Sequence, residues 1–374
     1  MSQNPFFPEV RERFGFGCMR LPMSGEEVDL EQFKQMVDLF LARGFNYFDT
    51  AHGYIRGKSE LALREGLTSR YPRESYVLTN KLSGPFFEKE EDILPLFESQ
   101  LAACGVAYFD FYLMHAQGSQ NFDKFRSCRA YETAFELKRQ GKVRHVGISF
   151  HDTPEMLDRI LTAYPAIEVV QIQFNYADYE DPAVQSRAVY ETARRHGKPV
   201  IVMEPVKGGR LAELPEEAKA VFDALGDGSC ASYALRFAEG FEGMFMVLSG
   251  MSTLGQMEDN LRTMSPFVPL SETEMDAVLR VNAIFHGRRL IPCTACRYCV
   301  DGCPRDILIP DVFACYNNKA LYRDWNANFY YEDVCTSGHG KASDCLRCGQ
   351  CESVCPQHLP IRELLEKIAA EFEK

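Results

Sequence analysis

Eight cysteines toward the C-terminus fall into two copies of one pattern, and no other feature of the chain restricts its fold as tightly. Cys293, Cys296, Cys299 and Cys303 stand in the order C-x2-C-x2-C-x3-C followed by Pro304, and Cys345, Cys348, Cys351 and Cys355 repeat it ahead of Pro356. Thiolates two residues apart, on a backbone that keeps turning, converge on one iron–sulfur cube. The fourth cysteine of each run points elsewhere and ligates the neighbouring cluster. One [4Fe–4S] cluster is therefore expected on Cys293, Cys296, Cys299 and Cys355, and a second on Cys345, Cys348, Cys351 and Cys303. A zinc ribbon also uses paired cysteines, but a tetrahedral zinc ion takes four thiolates and has no use for the third cysteine or the trailing proline.

Ahead of these motifs, from about Phe14 to Ser265, short apolar runs alternate with amphipathic stretches. The runs that read as strands are Phe16–Arg20, Asn46–Thr50, Tyr76–Lys81, Phe109–His115, Val143–Phe150, Val169–Phe174, Pro199–Glu204 and Met244–Ser249. Helical patterns follow each, near Asp29–Arg43, Ser59–Ser69, Glu90–Cys104, Phe125–Gln140, Thr153–Tyr164, Pro182–His196, Ser229–Glu239 and Leu254–Ser265. Eight such units predict a closed (β/α)8 TIM barrel over residues 1–268, with its active site at the C-terminal strand ends. An open doubly wound sheet is the competing architecture, but Phe14-Gly15-Phe16-Gly17-Cys18 lacks the third glycine of a dinucleotide fingerprint and opens no helix. Residues 269–374 then read as a helical linker, opened by a Ser271–Glu274 capping box, and a small α-helical ferredoxin-like domain. Helices are expected over Asp311–Tyr322 and Ile361–Phe372.

Composition excludes several partners. A formal charge of −12 over 374 residues argues against nucleic acid and anionic membrane surfaces. No 18-residue apolar run and no signal-like start are present, so a cytoplasmic protein is expected. The six cysteines outside the motifs (Cys18, Cys104, Cys128, Cys230, Cys315 and Cys335) show no paired spacing and read as buried small hydrophobes.

Polar groups at strand ends carry the barrel's chemistry. Asp49 closes the second strand, with Tyr54 in the loop beyond; Lys81 closes the third and His115 the fourth. Singly, each is an ordinary cap or hydrogen-bonding residue. Together they make an acid site, in which Asp49 holds the Lys81 ammonium beside Tyr54 to draw its pKa down from about 10, and His115 orients a carbonyl oxygen. Phe86 and Phe87, after the third strand, either wall an apolar pocket or pack under the C-terminal domain.

The segments FDTAHGY (Phe48–Tyr54), GKSE (Gly57–Glu60), TNK (Thr79–Lys81), YLMH (Tyr112–His115) and VGIS (Val146–Ser149) resemble the aldo-keto reductase family over roughly Phe14–Arg262. The resemblance implies hydride transfer from a nicotinamide, with Asp49, Tyr54, Lys81 and His115 as the catalytic tetrad. It places cofactor contacts on Ser149, on Gln173 and Asn175, on Met203, Glu204, Pro205 and Val206, and on Ser249, Gly250, Met251, Gln256 and Asn260 of the last loop. The cysteine-rich part is similar to the α-helical two-cluster ferredoxins appended in a subset of that family. Two departures from the family pattern bear on the cofactor. The Lys and Arg that commonly grip a 2′-phosphate are replaced by Gly250 and Gln256, which leaves NADP against NAD open. The aromatic expected after the seventh strand is absent from Val202-Met203-Glu204-Pro205, which leaves room for a flavin.

Three functions are consistent with this sequence. The first is an oxidoreductase that interconverts a small-molecule carbonyl and alcohol at Tyr54, with electrons passing through two clusters. Clusters move single electrons and hydride moves two, so this reading calls for an intermediate such as a flavin, a radical-tolerant substrate or an electron-transfer protein. The second is an electron-transfer or docking protein whose barrel is a scaffold. The third uses the clusters only as structural staples.

Overall fold

A computed structural model of the protein describes residues 6–181, 184–226, 228–287, 290–322, 328 and 330–373. Ten strands are formed: β1 (Phe14–Gly17), the hairpin β2 (Met23–Ser24) and β3 (Glu27–Val28), β4 (Tyr47–Asp49), β5 (Val77–Leu82), β6 (Phe109–Gln117), β7 (Val143–Phe150), β8 (Val169–Gln173), β9 (Val200–Met203) and β10 (Met244–Gly250). All but the hairpin pair in parallel and close in the order β1-β10-β9-β8-β7-β6-β5-β4. The near-continuous apolar character of these runs follows from burial on both faces, inward against the barrel filling and outward against helices. The expected (β/α)8 barrel is thus the architecture of the chain's larger part.

Register brings the strand ends level. Gly17 pairs with both Asp49 and Gly250, Asp49 with Thr79, Ser149 with Gln171, and Gln173 with Met203. Helices between strands start and stop where local chemistry directs. Asp29 Oδ1 accepts from Gln32 N to cap Leu30–Ala42, and Thr153 caps Pro154–Ala163, where Pro154 occupies a position that needs no donor. Helix Glu90–Cys104 ends on Gly105 at φ 66°, a conformation that would strain a residue with a Cβ.

Three details depart from the sequence expectation. The first strand lies at Phe14–Gly17 rather than Phe16–Arg20: Cys18 N still donates to Asp49 O, but β4 and β10 end there, so the ladder does not continue through Met19 and Arg20. The helix expected over Phe125–Gln140 is two, Phe122–Ser127 and Ala130–Arg139, broken at Arg129 with φ 51°. Helix Glu216–Asp223 was not foreseen.

The described chain divides into two compact units. The first comprises Met1–Glu180, Gln185–Pro205 and Ala231–Ser271, and the second Asp181–Val184, Val206–Cys230 and Glu272–Lys374. In the second unit, helix Glu216–Asp223 packs on helix Glu272–Gly287. Its core gathers Ile307, Ile309, Val312, Phe313, Ile361, Leu365 and Ile368 with the motif cysteines Cys293, Cys299 and Cys351. Helices Ile309–Tyr322 and Ile361–Phe372 agree with the sequence expectation. No helix among the described residues is long and apolar enough to cross a membrane.

The bottom of the barrel is closed by the N-terminal segment. Phe7 meets Phe111 at 4.9 Å and Phe245 at 4.7 Å between ring centroids, and lies 4.6 Å from the His145 ring. His145 sits between two carboxylates, 2.7 Å from Glu9 Oε1 and 2.9 Å from Glu168 Oε2. Burial alone would lower its pKa, but Glu168 and Glu9 overcome it and hold the value above the ordinary 6.5. Glu168, raised by burial but bonded to His145 and Lys138, falls to about 2. His145 therefore contributes fully below its unfolded-state pKa and loses that contribution as pH rises through the raised folded value; the glutamates contribute above about 4.5 and lose it as pH falls through their lowered values. His145→Gln is expected to cost about 1–3 kcal/mol in urea unfolding at pH 6 and clearly less at pH 9. Equal losses at both pH values would remove the imidazolium from this account.

Candidate active site and cluster ligands

The chain brings the four tetrad residues together at the C-terminal end of the barrel. Lys81, on β5, is 1% exposed. Its Nζ donates to Asp49 Oδ1 on β4 (2.6 Å), to Thr50 O (2.8 Å) and to Tyr54 OH (3.2 Å). A buried lysine needs such acceptors, because each lost water must be replaced. Because Lys81 donates into the Tyr54 oxygen, the phenol's own hydrogen is turned away from it. His115, on β6, meets the Tyr54 ring edge-on at 5.9 Å, and its Nδ1 lies 2.6 Å from Ser83 Oγ.

Burial governs the charges here. It pushes Lys81 down and Asp49 up, each partner offsetting part of the other's shift. His115 is driven well below its ordinary value by burial, with Lys81 and His151 adding to the effect, so its imidazole is neutral. Tyr54 departs from the sequence expectation. Burial, followed by the Asp49 charge, raises it well above 10, and Arg20 opposes the shift only in part. A half-buried phenol beside a carboxylate holds its proton, whatever a single ammonium contributes.

The positions implied for a cofactor occupy the neighbouring strand ends. Ser149 is buried on β7, where its Oγ accepts from Ala116 N (2.8 Å). Gln173 Nε2 and Asn175 Nδ2 both donate to Asp178 Oδ2, at 2.7 and 2.6 Å. Asn175 is saturated: Nδ2 also donates to Glu204 O, while Oδ1 accepts from Ala177 N and Asp178 N. Its side chain holds the turn beyond β8 to the end of β9. Met203 ends β9, Pro205 is buried, and Val206 opens the stretch assigned to the second unit. Ser249 and Asn260 are joined by a 3.1 Å bond from Asn260 Nδ2. Met251 is buried, whereas Gly250 is exposed, as is Gln256, whose Oε1 accepts from Ser252 N.

Two groups at this rim were not singled out from the sequence. Arg20 lies across Gly250, where an added Cβ would stand 3.4 Å from its own Cβ, and its guanidinium is 3.6 Å from Glu204 Oε1. Glu204, at φ 57°, keeps its other oxygen buried with no hydrogen-bond partner among the described residues. His52, between Asp49 and Tyr54, bonds through Nδ1 to buried Glu60 (2.8 Å), which accepts from Asn80 Nδ2 (2.7 Å). Phe86 is exposed and meets His52 edge-on at 4.7 Å, while Phe87 is buried against Phe125. Arg20 stood in the sequence only as a polar residue in a loop, and His52 only as part of the FDTAHGY segment, with nothing to mark either as part of this rim.

In the second unit the motif cysteines surround two separate cavities. Cys293, Cys296, Cys299 and Cys355 line one, with Ile309, Phe313 and Ile361. Cys303, Cys345, Cys348 and Cys351 line the other. The fourth cysteine of each run thus faces the other run's cavity, the exchange expected from the spacing. Among the described residues no three His, Cys, Asp or Glu converge on a point suited to one metal ion; the thiols stand around a volume. That donor set fits a cube of iron and sulfide better than a single zinc ion. Burial raises the thiols of Cys299 and Cys355 and brings Cys351 to about 11, so loading a cluster must displace protons. Outside the motifs, Cys315 and Cys335, unpaired by spacing, are brought to 3.2 Å between sulfurs in the core.

Residues 13–283 match the model of the Aldo/keto reductase family, and residues 292–360 match a 4Fe-4S dicluster domain. The chain belongs to the aldo/keto reductase family, and its C-terminal part carries a 4Fe-4S dicluster domain. It is 24% identical over 205 residues to an uncharacterized oxidoreductase, YtbE, of Bacillus subtilis, a match covering 54% of this chain and 66% of that protein. It is 25% identical over 185 residues to an NADH-specific methylglyoxal reductase of Escherichia coli, covering 45% and 54%. The match thus spans between about half and two thirds of these relatives' own lengths. A crystal structure of an aldo-keto reductase from Klebsiella pneumoniae in complex with NADPH superposes with a TM-score of 0.59 at 18% identity, over 72% of this chain and 90% of that one. At that identity the likeness concerns the fold.

Proposed function

We propose that the protein interconverts a small-molecule carbonyl and alcohol at Tyr54 using a nicotinamide, and carries two [4Fe–4S] clusters that exchange single electrons with that reaction through an intermediate such as an electron-transfer protein. The observation that carries the barrel half is the buried Lys81 ammonium bridging Asp49 and Tyr54. A nicotinamide bound across the strand ends would supply or accept hydride. Fit to such a group is supported by the ring of polar strand ends beside Tyr54 and by the buried unpartnered oxygen of Glu204, an acceptor where the family pattern expects an aromatic ring. Arg20 adds a cation at the same rim.

In the reductive direction, the outward-turned hydrogen of Tyr54 passes to the carbonyl oxygen as charge develops there. Lys81, already donating to the phenol oxygen, stabilises the phenolate left behind, and Asp49 keeps the ammonium in place. With Ser83 Oγ as the donor to Nδ1, the neutral His115 would carry its hydrogen on Nε2, where it could steady the same carbonyl oxygen. The eight cysteines would hold the two clusters, which supply one-electron chemistry. A relative named for NADH specificity accords with the replacement of the 2′-phosphate grip by Gly250 and Gln256.

The test uses anaerobically prepared full-length protein. Calorimetric titration should show binding of NADH and NADPH within about tenfold of each other, and the bound nucleotide should be oxidised by members of an aldehyde and ketone panel. Absence of any nicotinamide binding, with resolved flavin bands in the visible spectrum, would overturn the nicotinamide assignment.

A further inference from the structure

The chain leaving β9 does not return at once to the barrel. Directly after Met203, Glu204 and Pro205 it enters the second unit and runs along the first cysteine motif. Gly208, at φ 65°, lies so close to Thr294, between Cys293 and Cys296, that a Cβ there would strike the Thr294 carbonyl oxygen. Arg210 Nε donates to the Cys293 carbonyl at 2.6 Å. The side chain is half-buried, held against the backbone of the first cluster ligand. Lys207, 2% exposed, reaches Gln357 Oε1 at 3.4 Å, and Gln357 lines the same cavity as Cys293, Cys296, Cys299 and Cys355.

The second cavity has a different electrostatic setting. Arg305 and Arg362 border it and Arg347 lies between two of its ligands, yet each is matched by a carboxylate: Asp344 at 3.6 Å, Glu352 at 2.7 Å and Glu366 at 2.9 Å. Cys348 is exposed, so water screens that site as well, whereas Cys293 and Cys299 are buried. A reduced cluster bears one more negative charge than its oxidised form. A fixed cation held in low dielectric favours the reduced form, and a neutralised or solvated cation does so far less.

We propose that Arg210, supported by Lys207, raises the reduction potential of the cluster held by Cys293, Cys296, Cys299 and Cys355 above that of its neighbour, making it the member of the pair on which electrons collect. This rests on the reading of the eight cysteines as ligands of two redox-active clusters. It also gives the segment after β9 a double task, since its first residues belong to the implied cofactor contacts and its next ones to the cluster.

The experiment is an EPR-monitored redox titration of the anaerobic full-length protein. Two one-electron midpoints are expected, with the Cys348→Ser variant altering the signal of the second cluster and so labelling it. Arg210→Gln should weaken reduction of the first cluster about tenfold, a fall of about 59 mV for one electron, and leave the second unmoved. Arg210→Lys, which keeps the charge, should restore most of the shift. Should Arg210→Gln fail to retain iron, Lys207→Gln takes its place, with a fall in the same midpoint expected. Unchanged midpoints in a fully loaded variant would overturn the assignment to Arg210 while leaving the clusters' redox role standing. Clusters that do not titrate at all in the unmutated protein would instead sink the reading beneath it.

Discussion

Tyr54→Phe is expected to lower carbonyl turnover by about 10²-fold or more while leaving nicotinamide affinity and iron content close to unchanged. The substitution removes one oxygen and keeps the ring, so the edge contact with His115 at 5.9 Å survives. What disappears is the proton donor and the acceptor that Lys81 Nζ holds at 3.2 Å. Lys81→Met should act through the same oxygen from the other side, since Asp49 would then face Tyr54 without its counter-charge and phenolate formation would become harder. Because burial already holds Tyr54 well above 10, the reductive rate should stay level from neutral into mildly alkaline pH. Alcohol oxidation, which needs the phenolate as base, should rise across that range. Steady-state rates in both directions between pH 6 and 10 provide the readout. Full reductive activity in Tyr54→Phe would move the chemistry away from this tetrad and leave the barrel as a scaffold for the clusters.

What could be read from the sequence divides along a physical line. Strand ends were legible because a buried parallel strand announces itself as an apolar run, and the polar residue that closes it marks the barrel's mouth. Asp49, Lys81 and His115 were found in that way, and the cysteines through spacing alone. Tyr54's position was legible, but its electrostatics were not: the sequence shows an ammonium nearby, while the dominant influence is desolvation, which depends on everything packed around the ring. Arg20, and its pairing with Glu204, were hidden for a related reason. Their 3.6 Å approach joins residues 184 positions apart, which no local pattern predicts. His145 with Glu9 joins residues 136 positions apart, which no local pattern predicts. The same holds for Arg210 against Cys293, because an excursion from one unit into another leaves no periodicity behind.

Cys355→Ala should remove about half of the protein's iron, and the half it removes should belong to the first cysteine run. Anaerobically reconstituted protein is expected to bind about eight iron atoms per chain, four per cavity. Cys355 belongs to the second run in sequence, yet its side chain lines the cavity of Cys293, Cys296 and Cys299. Ligation confined to each motif would instead charge the loss to Cys345, Cys348 and Cys351. Paired variants separate the two schemes. Cys355→Ala combined with Cys296→Ala should lose little more iron than either alone, since both strike one cluster. Combined with Cys348→Ala it should lose nearly all, since both cavities are then broken. The opposite pattern would refute the exchange of ligands between motifs. A drop in thermal stability of the second unit should accompany the loss, because the cavity wall is also core: Ile309, Phe313 and Ile361 pack against the same sulfurs. Removing a group that joins Cys355 to the Cys293–Cys299 run takes away both a cross-link and part of that core's filling. Such an exchange of the fourth cysteine would do more than complete two coordination shells: each motif would depend on the other's fold, so that neither cluster could assemble on an isolated half of the domain.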